Sequence, residues 1–499
     1  MTSAFDAHST LNDSFVSNVK SQVASGARFA ALMASASGDG VRVFAVMSRG
    51  GKLHVEESMV PANVRRFPSF TPEIPSAIWY EREIHDLFGL SSTGRHGFEP
   101  LILPLADDAP RPRPGSGTKL PWASLNMTPP LTRLSGEGAF TISYGPVRSG
   151  VFESIEYLVE TTGEVIPSLN LRVSYKHRGI ETSFEGRGVE DGVLLAERYE
   201  GVASVAHALA YCGAVEKIGD IEMPAQSGYV RVIHAELERI ANHLDTFVRH
   251  VEAAGQAVAF ARLSFHKERI QRFRSRMCGS RFGRGVVVVG GVSGPPMLRA
   301  ADIVSEANRL ESAIAADLTL LMGTPSFLDR LRGTGVLATS TVVDYGALGP
   351  VARGSGVSED VRFDRPYAAY GSLEHGRVDV TGDGDALARQ RVRIREIKVA
   401  FALIRRSVEA LDDLGEPTDT VWSTQVPELS GEAIGWSEGP QGEILTWVQL
   451  REGCLTRVKP RSASFHNLML FPLAFPKDIL TDFAFIEASF GLSIAGVAG

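Results

Sequence analysis

Hydrophobic positions recur with helical spacing over two long stretches in the second half of this 499-residue chain. Over residues 229–251 an apolar side chain stands at every third or fourth position, and residues 394–411 repeat the pattern before Gly415 and Pro417. This spacing is typical of a helix that buries one face in a bundle, and Gly and Pro commonly end helices. We therefore predict at least two long bundle helices and a mainly helical second half.

Shorter stretches alternate between apolar and polar residues, as half-buried strands do. The segment "VRVFAVMS" (41–48) alternates in this way, and residues 75–88 favour a helix. A second alternating stretch, "TISYGPVRSGVFESIEYLVETTGEV" (141–165), contains a turn signal at Gly163. We predict a small mixed region near the N-terminus and a short antiparallel sheet after residue 140.

Prolines become dense between residues 104 and 130, around the insert "RPRPGSGTKLP". Such composition is typical of an extended linker, so we place a domain boundary there. The expected organisation is an N-terminal α+β domain at residues 1–103, a Pro-rich linker at 104–139 and a helical bundle domain with a small antiparallel sheet at 140–499. The fold class is α+β.

Composition excludes several classes of protein. The net charge of −7 and the isoelectric point near 6.0 give no reason to expect nucleic-acid binding. The cysteines stand far apart without a CxxC pair, so this chain alone can build neither a structural zinc site nor a four-thiolate iron–sulfur cluster. No signal peptide pattern is present, and no apolar run reaches the ~18 residues of a membrane-spanning helix.

Three charged segments have an ordinary interpretation beside a functional one. The cluster "IWYEREIHDLFGL" (78–90) is typical of a solvated helix face, although its flanking aromatic residues would suit a contact between subunits. His234 and Glu238 lie four apart on a helix but have no evident third metal ligand. Residues 261–284, rich in Arg with interleaved Phe, favour a contact with another subunit or with lipid headgroups over a nucleic-acid site.

The segment at 78–90 resembles the ERE..D.FG signature of the 30-kDa subunit of respiratory complex I. The rest of the chain resembles the 49-kDa subunit of complex I and the large subunit of group 4 membrane-bound [NiFe]-hydrogenases, especially of formate hydrogenlyase. The motifs that carry this resemblance stand in the family's order: "YGPVRSGVFESIEYLVETTGE" (144–164), "YKHRGIE" (175–181), "RGSGVSEDVRFDRPYAAY" (353–370), "SEGPQGE" (437–443) and "SFHNL" (464–468). Fusion of the two subunits in one chain is typical of formate hydrogenlyase-type proteins.

The resemblance implies a metal site whose ligands are missing here. Hydrogenases of this family hold nickel and iron with four cysteines, two in an R-x-C-G-x-C segment and two near the C-terminus. The first segment aligns with "RYEGVA" (198–203), which places Glu200 and Ala203 at the cysteine positions, and the second pair aligns with Ser493 and Gly496. Nickel that cycles its redox state needs soft thiolates, so we expect no metal and no hydrogenase activity from this chain.

The quinone contacts of complex I are also altered. The family places a histidine of an HPxxHG stretch and a tyrosine of an R-x-D-Y motif against the quinone headgroup, and these positions align with Phe152 and Gly201. Phe152 could stack on a quinone ring, but neither residue's side chain offers a donor or an acceptor. Glu200 stands at the family's aspartate. Ordinary quinone reduction is therefore not expected, and a quinone held in a different pose stays an alternative.

Proton-handling side chains remain in the segments that the family folds around its active-site cavity. A carboxylate buried beside apolar residues has its pKa raised, which suits it to relay protons. The candidate relay residues are Glu153, Glu200, His177 and Glu181, and the tentative cavity residues are Phe152, Arg148 and Arg198. The alternative is that Arg148, Arg178 and Arg198 pair with these carboxylates as structural ion pairs.

The resemblance implies a large subunit in the peripheral arm of an energy-converting-hydrogenase-related complex, on the cytoplasmic side of the plasma membrane. The expected partners are a small subunit that carries a [4Fe–4S] cluster and membrane subunits similar to those of complex I and of antiporters. In one hypothesis the chain couples electron transfer to ion translocation in an oxidoreductase complex. In the other it is a redox-inactive scaffold or coupling subunit of an ion-translocating complex.

Overall fold

The computed structural model describes residues 4–38, 40–61, 63–94, 99–105, 109–117, 136, 138–148, 153–374, 376–380, 382–415 and 421–499, with side chains from residue 14 onwards. No helix in these ranges combines the length and the apolar character that crossing a membrane requires.

The N-terminal region is a three-stranded antiparallel meander covered by helices. Its elements are α1 (Ala4–Ala24), β1 (Arg28–Ser37), β2 (Gly40–Arg49), β3 (Lys52–Val60), β4 (Arg66–Pro68), α2 (Ile78–Phe88) and β5 (Ser91–Thr93). The sheet order is β1-β2-β3, and β4 pairs with β5 in parallel. The predicted strand at 41–48 and helix at 75–88 are confirmed as β2 and as α2 with the short 3-10 turn before it.

A second antiparallel sheet follows the Pro-rich segment. It consists of β6 (Phe140–Tyr144), β7 (Glu156–Thr161) and β8 (Ser168–Arg172), paired in that order, and it confirms the predicted sheet. Part of the Pro-rich segment is described, at residues 109–117. These residues form no helix or strand, yet they pack along the N-terminal region, where the N–H of Arg113 donates to the carbonyl of Leu87 (2.8 Å).

The remaining chain is mainly helical. It contains α3 (Ile180–Phe184), α4 (Val189–Ala196), α5 (Ser204–Gly219), α6 (Ala225–Ala253), α7 (Ala257–Cys278), β9 (Val287–Val288), β10 (Gly291–Val292), α8 (Ala300–Met322), α9 (Pro325–Leu331), α10 (Thr339–Asp344), α11 (Gly349–Gly354), α12 (Val361–Asp364) and α13 (Ala386–Leu414). Helices α6 and α13 are the two predicted bundle helices, and they share one buried apolar core with α7 and α8. The α+β fold class is confirmed.

The structure has a third sheet near the C-terminus, which we did not predict from the sequence. It is formed by β11 (Gly431–Gly439), β12 (Gly442–Arg451) and β13 (Cys454–Arg461), and it leads into α14 (Ala463–Leu468), α15 (Phe483–Phe490) and α16 (Ala495–Ala498). Helix α5 packs directly on this sheet. A Cβ at Gly435 would lie 2.0 Å from the carbonyl oxygen of Ala210, so only glycine permits this close approach.

The charged helix α2 lies at the contact between the N-terminal region and the rest of the chain, so its interpretation as a solvated face is wrong. Glu81, Glu83 and Asp86 are all buried. Tyr80 packs on Phe465, with ring centroids 4.8 Å apart. The carboxylates are tolerated there because each has specific partners: Oδ2 of Asp86, for example, accepts the N–H groups of residues 101–103.

Candidate functional site

The segment "RYEGVA" (198–203) connects α4 to α5 and forms the floor of the candidate site. Tyr199, Glu200 and Ala203 are buried, whereas Gly201 is exposed. Burial raises the pKa of Tyr199 well above its usual value, and the nearby carboxylates add to that shift. The tyrosine therefore stays neutral.

The Glu200 carboxylate is fully engaged in hydrogen bonds. Its Oε2 lies 2.9 Å from Nε2 of His207, in the first half of α5, and accepts the hydroxyl of Ser462 at 2.7 Å. Its Oε1 accepts the hydroxyl of Ser464 at 2.6 Å. All four side chains are at most 1% exposed. Three partners around one buried carboxylate compensate its desolvation, because hydrogen bonds to charged groups are among the stronger ones.

The loop before α16 closes over Glu200. The Ser493 N–H donates to the Ser464 hydroxyl (3.1 Å), and the Ser493 hydroxyl donates to Glu153 (2.9 Å). Glu153 also accepts the backbone N–H groups of Ile494 and of Ala495, the latter at 2.9 Å. Glu153 thus fixes the position of the loop at residues 493–495.

Gly496 meets Glu200 directly. A Cβ at Gly496 would lie 2.7 Å from the Ser462 hydroxyl oxygen and 2.8 Å from the carboxyl carbon of Glu200. Real Cβ atoms do not approach other heavy atoms so closely, so the loop and the carboxylate are in contact here without room for a side chain between them.

Protons can be exchanged within parts of this network only. Hydroxyls, carboxyls and imidazoles both give and take protons, but a backbone N–H does not give up its proton under these conditions. Ser493 contacts Ser464 through its backbone N–H, which does not transfer a proton. The network therefore divides into two units that exchange protons internally, one around Glu153 and one around Glu200. The larger unit is Glu200 with His207 and the two serines.

His177 and Arg178 fasten the C-terminal segment to this floor. The Nδ1–H of His177 donates to the carbonyl of Ala498 (2.6 Å). The Arg178 guanidinium donates to the carbonyl of Tyr199 (2.5 Å), and the backbone N–H of Arg178 donates to the carbonyl of Gly499 (2.7 Å). The predicted relay residue His177 is therefore next to the Glu200 network without a side-chain bond to it.

Glu181 lies apart, in a buried cluster of four charges. It accepts from Lys459 (2.7 Å) and forms an ion pair with Arg457 (2.6 Å), while Lys459 also binds Glu83 of α2 (2.6 Å). Burial alone would raise the pKa of Glu181, but the charges of Arg457 and Lys459 outweigh it and lower the pKa to about 2. The arginines that the alternative interpretation named are not the partners of this carboxylate.

The tentative cavity residues are placed elsewhere or not described. Arg148 forms a bidentate ion pair with Glu487 (2.6 and 3.0 Å) and lies over the rings of Tyr144 and Tyr157. Arg198 is half exposed and donates to the carbonyl of Leu194 (2.7 Å). Phe152 lies outside the described residues.

Two family models match the chain. The model of the respiratory-chain NADH dehydrogenase 49 Kd subunit matches residues 254–426, and that of the 30 Kd subunit matches residues 15–110. The chain is 31% identical to the carbon monoxide-induced hydrogenase of Rhodospirillum rubrum over 62% of its own length and 85% of that protein.

The chain belongs to the family of hydrogenase large subunits and complex I 49-kDa subunits. Two further relatives in this family match more than four fifths of the chain. Formate hydrogenlyase subunit 5 of Escherichia coli is 27% identical over 84% of this chain and 75% of that protein. Hydrogenase-4 component G of the same organism is 28% identical over 83% of this chain and 72% of that protein.

The positions that align with the family's cysteines converge in space. Glu200 touches Gly496 and is bonded through Ser464 to Ser493, and Ala203 directly precedes the helix that carries His207. The four positions together offer one carboxylate and one hydroxyl. Among the described residues, no group of three His, Cys, Asp or Glu side chains has the geometry of a metal site.

Sequence reasoning missed His207, Ser462 and Ser464, the three partners of Glu200. His207 stands seven residues after Glu200, in the first turn of α5, and this short separation is a usable signal once Glu200 is known to be buried. The two serines belong to the end of β13 and the start of α14, far away in the chain. No spacing in the sequence links them to Glu200.

Proposed function

We propose that this chain is the large subunit in the peripheral arm of a membrane-bound, complex I-like oxidoreductase complex related to energy-converting hydrogenases. In this proposal it couples electron transfer to ion translocation without a [NiFe] centre and without the usual quinone ligands. The observation that carries the proposal is the set of hydrogen bonds from His207, Ser462 and Ser464 to Glu200, the residue that we align with a thiolate position of the family.

The absence of a nickel–iron centre is supported by the donors at the aligned positions. Nickel in redox chemistry requires soft thiolate ligands. Glu200 supplies a hard carboxylate whose oxygens already take part in three hydrogen bonds, and Ala203 and Gly496 supply no donor. The direct approach of Gly496 to Glu200 is a further argument, because a metal would need that space.

The loss of the usual quinone contacts is supported by the residue types at the aligned positions. Gly201 has no side chain where the family has a tyrosine, and Phe152 offers no hydrogen bond where the family has a histidine. A quinone that binds to this complex would need other donors.

A coupling role is supported by the electrostatics of the Glu200 unit. A carboxylate and an imidazole 2.9 Å apart, both buried, respond strongly to a charge that appears nearby, because the interior screens charge poorly. We propose that an electron arriving on a [4Fe–4S] cluster of a small partner subunit changes the protonation of this unit. The loop at 493–495 would pass that change on, since Glu153 binds it directly and Glu200 is connected to it through Ser464.

The partners and the location come from the family. One relative is named as the alpha subunit of a membrane-bound hydrogenase in Pyrococcus furiosus, and several are named as subunits of NADH-quinone oxidoreductases. We infer an iron–sulfur small subunit and membrane subunits similar to those of complex I and of antiporters, with this chain on the cytoplasmic side.

A redox-inactive scaffold is the second candidate. The observation that favours it is the contact between Gly496 and Glu200, because a site closed by direct contact holds no substrate there. The two candidates differ in whether electron flow through the complex depends on the Glu200 unit.

The test uses the native complex in inverted membrane vesicles, with reduced methyl viologen as electron donor. We expect no nickel, no exchange between hydrogen gas and deuterated water, and ion uptake that Glu200→Gln abolishes. The matched control is Glu190→Gln, a carboxylate near the start of α4 outside the Glu200 network, which should leave uptake unchanged. Nickel at one atom per chain would refute the proposal, and equal uptake in both variants would favour the scaffold.

A further inference from the structure

A cavity of about 140 Å³ borders the 198–203 segment, and none of its lining residues belongs to the Glu200 network. It is lined by Gly201 and Val202 of that segment, by Glu238 of α6 and by Arg274 of α7. We call it the Glu238 cavity. Its volume suffices for several water molecules, and polar groups line it.

Glu238 connects this cavity to the first turn of α5. Its Oε2 accepts the N–H of Val205 (2.8 Å), and its Oε1 accepts the N–H of Ala206 (3.0 Å). These N–H groups belong to the first turn of the helix and have no partner within it, so the carboxylate acts as the cap of α5 from another helix. The helix begins directly after the 198–203 segment, which means that Glu238 also positions that segment.

The cavity contains an unsatisfied polar group. Arg274 is only 3% exposed, and its Nε has no hydrogen-bond partner among the described residues. Its terminal nitrogen donates to the carbonyl of Phe282 (2.8 Å). A buried guanidinium N–H without a protein partner requires water, because leaving it unpaired costs the full desolvation of that group.

We propose that the Glu238 cavity is a proton-exchange site, in which water delivers a proton to Glu238 and thereby releases the first turn of α5. The proton passes from a hydronium ion in the cavity to one carboxylate oxygen. That oxygen then ceases to accept the N–H of Val205 or of Ala206. The inference deepens the proposed function, on which it rests for its consequence in the complex.

The charged groups around Glu238 are compatible with this exchange. Burial raises the pKa of Glu238 to about 7, against the opposing charges of Arg274 and Arg239 and the two backbone N–H groups. His234 lies one helical turn before Glu238 on α6, and burial with the charge of Arg274 lowers its pKa to about 3, so it stays neutral.

The other acid of the cavity does not titrate near neutrality. Asp245 accepts from Lys267 (2.5 Å) and from Arg249. Burial opposes its ionisation, but these two cations prevail and hold the pKa of Asp245 below its usual value. Of the carboxylates that line the cavity, Glu238 is therefore the one that can change its charge around pH 7.

Hydrogen–deuterium exchange of the full-length chain tests the proposal. For a carboxyl with a pKa near 7, the protonated fraction falls about tenfold between pH 6 and pH 8. After correction for intrinsic exchange rates, we expect the amides of Val205 and Ala206 to be up to about tenfold less protected at pH 6 than at pH 8. Residues 240–244, in the interior of α6, should show no such change.

Variants assign the effect to Glu238. Glu238→Gln should remove the pH dependence, whereas Asp245→Asn in the same cavity and Glu252→Gln at the exposed end of α6 should retain it. If Glu238→Gln does not fold, Glu238→Asp replaces it: its shorter side chain should shift the pH dependence of protection, whereas Asp245→Asn should not.

Two results would overturn the proposal. In the first, the protection of the Val205 and Ala206 amides is the same at pH 6 and at pH 8, and Glu238 then does not release the first turn of α5. A pH dependence that survives in Glu238→Gln assigns it to another group. Both measurements use the chain without electron donor or membrane, so their failure is distinguishable from failure of the proposed function.

Discussion

Replacing Glu181 by glutamine tests whether this residue is a structural ion-pair partner rather than a proton relay. Glu181 is 6% exposed and lies between Arg457 and Lys459, with Glu83 on the other side of Lys459. Glu181→Gln keeps the shape but removes the charge. The two cations are then left with Glu83 as their one carboxylate partner in this cluster.

The magnitude follows from the pKa of Glu181. Its fall from an ordinary 4.5 to about 2 corresponds to about 3 kcal/mol of stability, at about 1.4 kcal/mol for each pKa unit. Because the pKa is lower in the folded state, this stability is present above pH 4.5 and is lost as the pH falls from 4.5 towards 2. Breaking a buried ion pair by removing one partner costs a similar amount, about 3–5 kcal/mol.

Urea unfolding followed by tryptophan fluorescence measures the effect. At pH 7 we expect Glu181→Gln to lose about 3 kcal/mol, and the difference from the wild type should narrow between pH 5 and pH 3. Glu190→Gln near the start of α4 lies outside this cluster and is the control, which should change little. A Glu181→Gln variant as stable as the wild type at pH 7 would refute the ion-pair reasoning and restore Glu181 as a relay candidate.

Three further predictions concern the site and its surroundings. Gly496→Ala should lower the free energy of unfolding by about 1–3 kcal/mol through overpacking, whereas Gly201→Ala, with open space around it, should not. Glu153→Gln should speed hydrogen exchange of the backbone N–H groups that this carboxylate binds, and unchanged exchange would contradict the assigned contact. A maleimide should label Cys454 in the native chain and Cys212 only after unfolding, since Cys212 is buried and burial raises the pKa of its thiol.

Periodicity predicted the elements whose side chains have a one-sided environment. Helices α6 and α13 each bury a stripe of apolar side chains in the bundle, so apolar residues recur at helical spacing. Strand β2 was predicted from the alternation in its sequence, although it too is buried over most of its length. The C-terminal sheet escaped prediction because β12 is buried nearly throughout and shows no alternation. A continuous apolar run is compatible with helix or strand.

The charge pattern of α2 misled for a different reason. A cluster of Glu, Arg and Asp is usually solvated, and nothing local shows that Lys459 and the 101–103 backbone satisfy those charges. The partners of Glu200 could not be predicted either, because no local pattern in the sequence indicates them. Its partners Ser462 and Ser464, at the start of α14, lie more than two hundred residues away, and only the folded chain brings them together.

The network around Glu200 holds two converging segments of the fold together. A carboxylate between two converging segments is bonded to the helix start through His207 and to the C-terminal loop through Ser464. Each of these bonds involves a side chain that is at most 1% exposed, so the link between the helix start and the C-terminal loop is shielded from water. The fold therefore joins segments that are distant in the sequence through one buried carboxylate and its hydrogen-bond partners.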